Sequence, residues 1–205
     1  MDGTSPPPAS TAALQKSRMR HTWAFALPMG VLVLFIEPAG PEEVLEWTGI
    51  LLLIAAVLGR MVCSLYVGGR KNRALVADGP YSVVRNPLYL ASFVGVLGIG
   101  LGTGMFTVAA MLVVLFALYY RHVVTREEAF LESAFGEDYR DYRRRVPRWL
   151  PDLRLWRSPA AIEVEPRYVL ITLRDSAWFL VYVPAMELVE YLRDAGLVPA
   201  LFRLY

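Results

Sequence analysis

Apolar and charged residues in this chain are sorted into separate blocks, and that sorting constrains the fold more than any single motif. Gly49 to Leu58 and Ala109 to Leu118 contain no charged residue, whereas Arg140 to Arg148 is mostly charge. A helix on the surface of a soluble domain keeps one polar face, so apolar runs this complete belong in a bilayer. A hydrophobic share of 56% over 205 residues agrees. Net charge is only +2, and the basic residues sit beside apolar runs. That arrangement predicts anchoring to lipid headgroups and argues against nucleic acid as a partner. Cys63 is the single cysteine and lies inside an apolar run, so no intrachain disulfide can form. His21 and His122 stand a hundred residues apart, each beside a basic span end, and no metal centre is expected.

Residues 1–15 are rich in Pro, Ser, Thr and Ala without apolar periodicity, which predicts a flexible tail. Lys16, Arg18 and Arg20 precede an apolar run from Trp23 to Ile36, followed by Glu37 and Pro38 where cleavage-site residues would be small. This reads as a retained first span. A second span is expected from about Trp47 to Val67, ending in Arg70, Lys71 and Arg73. The region from Leu88 to Tyr120 is too long for one crossing and carries Gly98, Gly100, Gly102 and Gly104 near its middle, so spans three and four form a tight hairpin. That glycine run lacks the preceding strand and the following acid of a dinucleotide-binding loop. Small residues at a membrane turn, or spaced by four for close helix contact, explain it better. The loop from Glu37 to Glu46 has four Glu and no Lys or Arg, which puts the N-terminus and the basic loops in the cytosol under the positive-inside rule.

Beyond Tyr120 the chain turns polar. Val123 to Phe135 reads as a cytosolic amphipathic helix capped at Phe135-Gly136, with a short second helix from Asp138 to Arg145 stopped by Pro147. Further on, Asp175-Ser176 starts a helix through Trp178 to Leu192. Pro184, Glu187 and Glu190 interrupt its apolar character, which favours a helix lying in the interface over a fifth crossing. The expected fold is therefore an all-α, polytopic membrane bundle of about four spans. It divides into a tail (1–15), a membrane domain (16–151) and a C-terminal extension (152–205).

Two segments carry candidate chemistry. In Asp78-Gly-Pro-Tyr-Ser-Val-Val-Arg-Asn-Pro-Leu-Tyr-Leu90, two prolines turn the chain twice and hold Arg85 and Asn86 at the membrane mouth, with Tyr81 and Tyr89 available as interfacial anchors. In Arg126 to Gly136 the adjacent acids differ by about 100° around a helix. Glu127 is expected on the inward stripe with Val123, Val124, Phe130, Leu131 and Ala134, either at a ligand or in an ion pair with Arg85 or Arg121. Glu128 is expected on the solvated side with Glu132. Arg60, about 10 Å below the end of span two, is expected to point into the bundle, with snorkelling to the headgroups as the alternative.

Together, Gly79-Pro-Tyr81, Arg85-Asn-Pro-Leu-Tyr89, Glu127-Glu128 and Phe135-Gly-x-x-Tyr139-x-x-Tyr142-x-x-x-Val146-Pro147 resemble the isoprenylcysteine carboxyl methyltransferases and related phospholipid methyltransferases. The match covers about Tyr66 to Pro151. It implies an S-adenosylmethionine-dependent membrane methyltransferase without a Rossmann domain, acting at the cytosolic face on a lipid or isoprenoid substrate, with carboxylate O-methylation favoured. Carried over by position, it puts Tyr81, Asn86 and Glu127 on the cofactor, with Leu75 and Val76 along it and Tyr66 beside it. Catalytic roles fall to Glu127, Asn86 and Arg85. Substrate contacts fall to Tyr89 and to Arg121 and Arg126, which flank Val123, the position where eukaryotic members have a substrate-contacting Arg. Those members also have His where Asn86 stands. Alternatives are a phospholipid N-methyltransferase, a sterol-reductase-like NADPH enzyme and a non-catalytic membrane scaffold.

Overall fold

A computed structural model describes residues 36–38, 43–70, 73–198 and 202–204. The expected N-terminal tail and first span, apart from Ile36, lie outside the described residues. Helix α1 (Glu43–Val67) has 25 residues, roughly 37 Å at helical rise, enough to cross a hydrocarbon layer of about 30 Å. The chain then turns through α2 (Pro80–Val83), a single turn begun by Pro80 at its first helical position. Pro87 likewise starts α3 (Pro87–Leu101). Proline suits these positions because the first-turn N–H has no helical partner to lose. Helix α4 (Phe106–Arg145) returns from the hairpin at Leu101–Met105 and runs 40 residues. Its interruption at Gly136, with φ 55°, falls where the Phe-Gly cap was expected. Helix α5 (Pro166–Asp194) completes the bundle.

The helical membrane bundle and its tight α3–α4 hairpin bear out the reading from sequence. The glycine run sits inside α3 and its turn, where it makes a helix contact. A Cβ on Gly49 of α1 would lie 2.5 Å from the Gly102 backbone nitrogen, so α1 and α3 meet backbone to backbone at this level. Arg60 points inward: its Nε donates to Ser176 Oγ of α5 at 2.7 Å and its Nη1 to Ser92 Oγ of α3 at 2.5 Å.

The interfacial placement of the C-terminal helix is corrected. Helix α5 lies antiparallel along α1 for its whole length. Tyr168 touches Gly68, Ser176 meets Arg60, and Tyr182 reaches the Gly102 level. Beyond its end, strand β2 (Phe202–Leu204) pairs in parallel with strand β1 (Ile36–Pro38), just before α1, so α5 finishes at the end of the bundle where α1 starts. Its 29 residues are long and apolar enough to cross a membrane. Glu187 and Glu190 do not oppose this, because they occupy the last two turns at that same end. Pro184 removes one backbone donor, a loss that membrane helices tolerate when neighbouring groups compensate.

Candidate active site

The α2 turn and the polar half of α4 converge where α1 ends and α3 begins. The Arg85 amide donates to the Pro147 carbonyl at 2.9 Å, and the Tyr142 hydroxyl to the Tyr81 carbonyl at 2.8 Å. The two segments singled out in the sequence are thus joined at one end of the bundle. Between them lies a cavity lined by Leu75, Val76, Tyr81, Arg85, Asn86, Tyr89, Glu127 and Leu131, among others. Its volume is about 100 Å³, and it is open on one side.

The Tyr89 hydroxyl donates to Glu127 Oε2, so Glu127 presents a positioned carboxylate to the cavity. Burial pushes the Tyr81 phenol well above its ordinary pKa, which keeps it a neutral hydrogen-bonding group. Behind this wall, Tyr139, Tyr142 and Val146 form a buried cluster against Leu75, Ala77, Leu131 and Phe135. The Phe-Gly-x-x-Tyr-x-x-Tyr-x-x-x-Val-Pro pattern is therefore a packing device that braces the Leu75–Val76 side of the cavity.

Glu128 is not solvated, and the helix-face assignment is corrected. Its side chain is 11% exposed and lies between Arg85 Nε at 3.5 Å and Arg148 Nε at 3.2 Å, with the Asn86 amide donating to Oε1 at 3.1 Å. Asn86 also donates to the Arg148 carbonyl at 3.3 Å. Val124 is fully buried, whereas Phe130 is 46% exposed. The inward axis runs through Val124, Leu131 and Phe135, and Glu127 and Glu128 flank it by about 60° and 40° on opposite sides at about 100° per residue. An inward stripe that includes Phe130 points toward Glu127 alone, but Phe130 is exposed and does not belong to it. The i, i+4, i+7 spacing of Val124, Glu128 and Leu131 carried the missing signal.

Arg85 is 10% exposed, and its Nη1 is buried without a hydrogen-bond partner. Asn86 is buried, and its amide serves the Glu128 network while its side lines the cavity. Tyr66 is outside the cavity: its ring packs on Gly79 and its hydroxyl meets Ser158 Oγ at 2.9 Å. Arg121 and Arg126 are exposed on α4 and do not line the cavity. Sequence reasoning missed Arg148, which the turn at Pro147 delivers to Glu128.

Helices long and apolar enough to cross a membrane, with a cavity where α1 ends and α3 begins, define an integral membrane protein with a candidate site at one end of its bundle. The family model "phospholipid methyltransferase" matches residues 44–138. The cobalt-zinc-cadmium resistance protein CzcN of Cupriavidus metallidurans is 40% identical over 76% of this chain and 72% of its own length. The nickel-cobalt-cadmium resistance protein NccN of Alcaligenes xylosoxydans xylosoxydans is 41% identical over 74% and 70%. The protein-S-isoprenylcysteine O-methyltransferase of Schizosaccharomyces pombe is 36% identical over 40% of this chain and 34% of its own. No solved structure matches. The chain belongs to the isoprenylcysteine and phospholipid methyltransferase family and is a membrane methyltransferase. Members of this family generally use S-adenosylmethionine.

Proposed function

We propose that this protein transfers a methyl group from S-adenosylmethionine to the carboxylate of a lipid-like or isoprenoid substrate that enters from the bilayer, with its site and N-terminus facing the cytosol. The observation that carries this reading is the convergence of Leu75, Val76, Tyr81, Asn86 and Glu127 on one cavity, with the unpartnered Arg85 Nη1 in its wall region. The donor set fits the cofactor's chemistry. Apolar and aromatic groups suit an adenosine, the Glu127 carboxylate suits hydroxyls or an ammonium, and a buried guanidinium N–H suits a carboxylate. When bound, the cofactor supplies a methyl group on a sulfonium.

The chain's own work is alignment and exclusion of water. Leu75, Val76 and Leu131 provide the apolar wall, and Tyr89 fixes Glu127 by its hydrogen bond. An acceptor carboxylate is already ionised at neutral pH and needs no base. An amine acceptor would have to lose a proton, and Glu127 is the carboxylate in the cavity that could take it. Tyr89 is the candidate that lies where a substrate could touch it, whereas Arg121 and Arg126 stand clear of the cavity. The metals in the relatives' names describe those proteins. Among the described residues of this chain, no group of three or more His, Cys, Asp or Glu gathers to hold an ion.

Titration of the purified protein with S-adenosylhomocysteine and with NADPH tests the cofactor. Preference for NADPH would move it to reductase chemistry, and binding of neither would leave a scaffold. Incubation of active protein with labelled methyl donor and a lipid extract tests the acceptor. Base-labile label indicates a methyl ester, and base-stable label overturns the carboxylate in favour of an amine.

A further inference from the structure

At the same end of the bundle, the chain from Pro147 to Ser158 makes a second surface. Its backbone is fastened to the α2 turn: the Asp152 amide donates to the Val83 carbonyl at 3.0 Å, the Gly79 amide to the Arg157 carbonyl at 2.7 Å, and the Arg157 amide to Ser82 Oγ at 3.0 Å. These bonds fix the segment at the level where Pro87 starts α3, and it leads on to Pro166, which starts α5. Its apolar side chains nevertheless turn outward. Leu150 is 82% and Leu153 75% exposed, and Trp149 and Trp156 are exposed beside them.

Beside Leu150 opens a shallow, solvent-open cleft of about 580 Å³. Arg85, Arg143, Arg144, Arg145, Arg148 and Arg154 line it, against Asp152 as the acidic lining residue. Arg143, Arg144 and Arg154 pair with carboxylates in exposed ion pairs, which are weak and salt-screened. Arg145 is bonded to the Asp141 carbonyl and meets no carboxylate among the described residues. Tryptophan and leucine beside clustered arginine, held at the mouth of membrane helices, is the composition that anchors protein to a headgroup layer.

We propose that this cleft binds the phosphate of an anionic phospholipid from the surrounding membrane while Trp149, Leu150, Leu153 and Trp156 insert into the interface. A soluble peptide or anion would not account for bulky apolar side chains exposed at the bilayer level. Arg85 lines both this cleft and the methyl-transfer cavity, so a seated headgroup abuts the active site. The lipid held here is an anchor and not the methyl acceptor.

The full-length protein in detergent, titrated with phosphatidylglycerol or phosphatidylcholine and read by lipid retention in native mass spectrometry, tests it. Phosphatidylglycerol is expected to be held about tenfold more tightly. The Arg145→Gln/Arg154→Gln double variant is expected to lose about tenfold of that affinity, while Arg145→Lys/Arg154→Lys retains most of it, since the site reads charge. Equal retention of the two lipids by the unmodified protein overturns the proposal and needs no variant to fold. Unchanged phosphatidylglycerol affinity in a folded Gln variant also overturns it. Displacement of the lipid by inorganic phosphate would assign the cleft to a soluble phosphate ligand instead.

Discussion

Replacing Glu128 by Gln removes the negative charge that lies between Arg85 and Arg148. The replacement keeps side-chain size and can still accept from the Asn86 amide, so the perturbation is electrostatic. Breaking a buried ion pair by removing one partner costs about 3–5 kcal/mol, because the remaining charge stays desolvated and unpaired. Arg85 meets that condition at 10% exposure, whereas Arg148 is 33% exposed and can turn to water. The expected loss is therefore near the lower end, about 3 kcal/mol. It is read as a fall in unfolding free energy in detergent, followed by chemical denaturation with a helicity signal. Arg148→Gln should cost less, about 1 kcal/mol, because exposed partners contribute little. The double variant should be less destabilised than the sum, since the two share one interaction. A Glu128→Gln protein within about 0.5 kcal/mol of the parent, the range of an ordinary surface change, would refute the buried network. It would restore Glu128 to the solvated face.

Glu127→Gln should leave stability within about 0.5 kcal/mol but weaken S-adenosylhomocysteine binding roughly tenfold to a hundredfold, the worth of a charge-assisted contact in a water-poor cavity; unchanged affinity by calorimetric titration would remove Glu127 from the cofactor site. Arg60→Leu strips the hydrogen bonds that tie α1 to α3 and α5, and should make α5 the first segment cut by protease in detergent; an unchanged digestion pattern would show that apolar packing alone holds it. Gly49→Leu places a side chain where even a Cβ meets the Gly102 backbone at 2.5 Å, and should lower the thermal midpoint through overpacking of about 1–3 kcal/mol. Tyr66→Phe removes only the contact to Ser158 Oγ and should leave cofactor affinity within about twofold, whereas a tenfold loss would return Tyr66 to the cavity.

The sequence by itself determined the solvent and the class of fold. Blocks such as Gly49–Leu58 and Ala109–Leu118 can satisfy their backbone in lipid only as helices, and a chain segment of 33 residues with glycines at its centre must double back. Pro80 and Pro87 marked the start of α2 and α3, and the ordered Tyr81, Asn86, Glu127 and Val146-Pro147 pattern pointed to the cavity, because local geometry and spacing are one-dimensional properties. What remained to tertiary structure was rotation and depth. Phe130 is apolar yet exposed, and Glu128 is charged yet buried, because a side chain's environment depends on which partner the helix meets. That partner, the Arg85–Asn86 mouth with Arg148 behind it, comes from residues 42 and 20 positions away. The placement of α5 was hidden for the same reason. Its composition reads as interfacial when weighed residue by residue, and only its antiparallel packing against Arg60, Gly68 and the Gly102 level shows that its glutamates fall at a helix end.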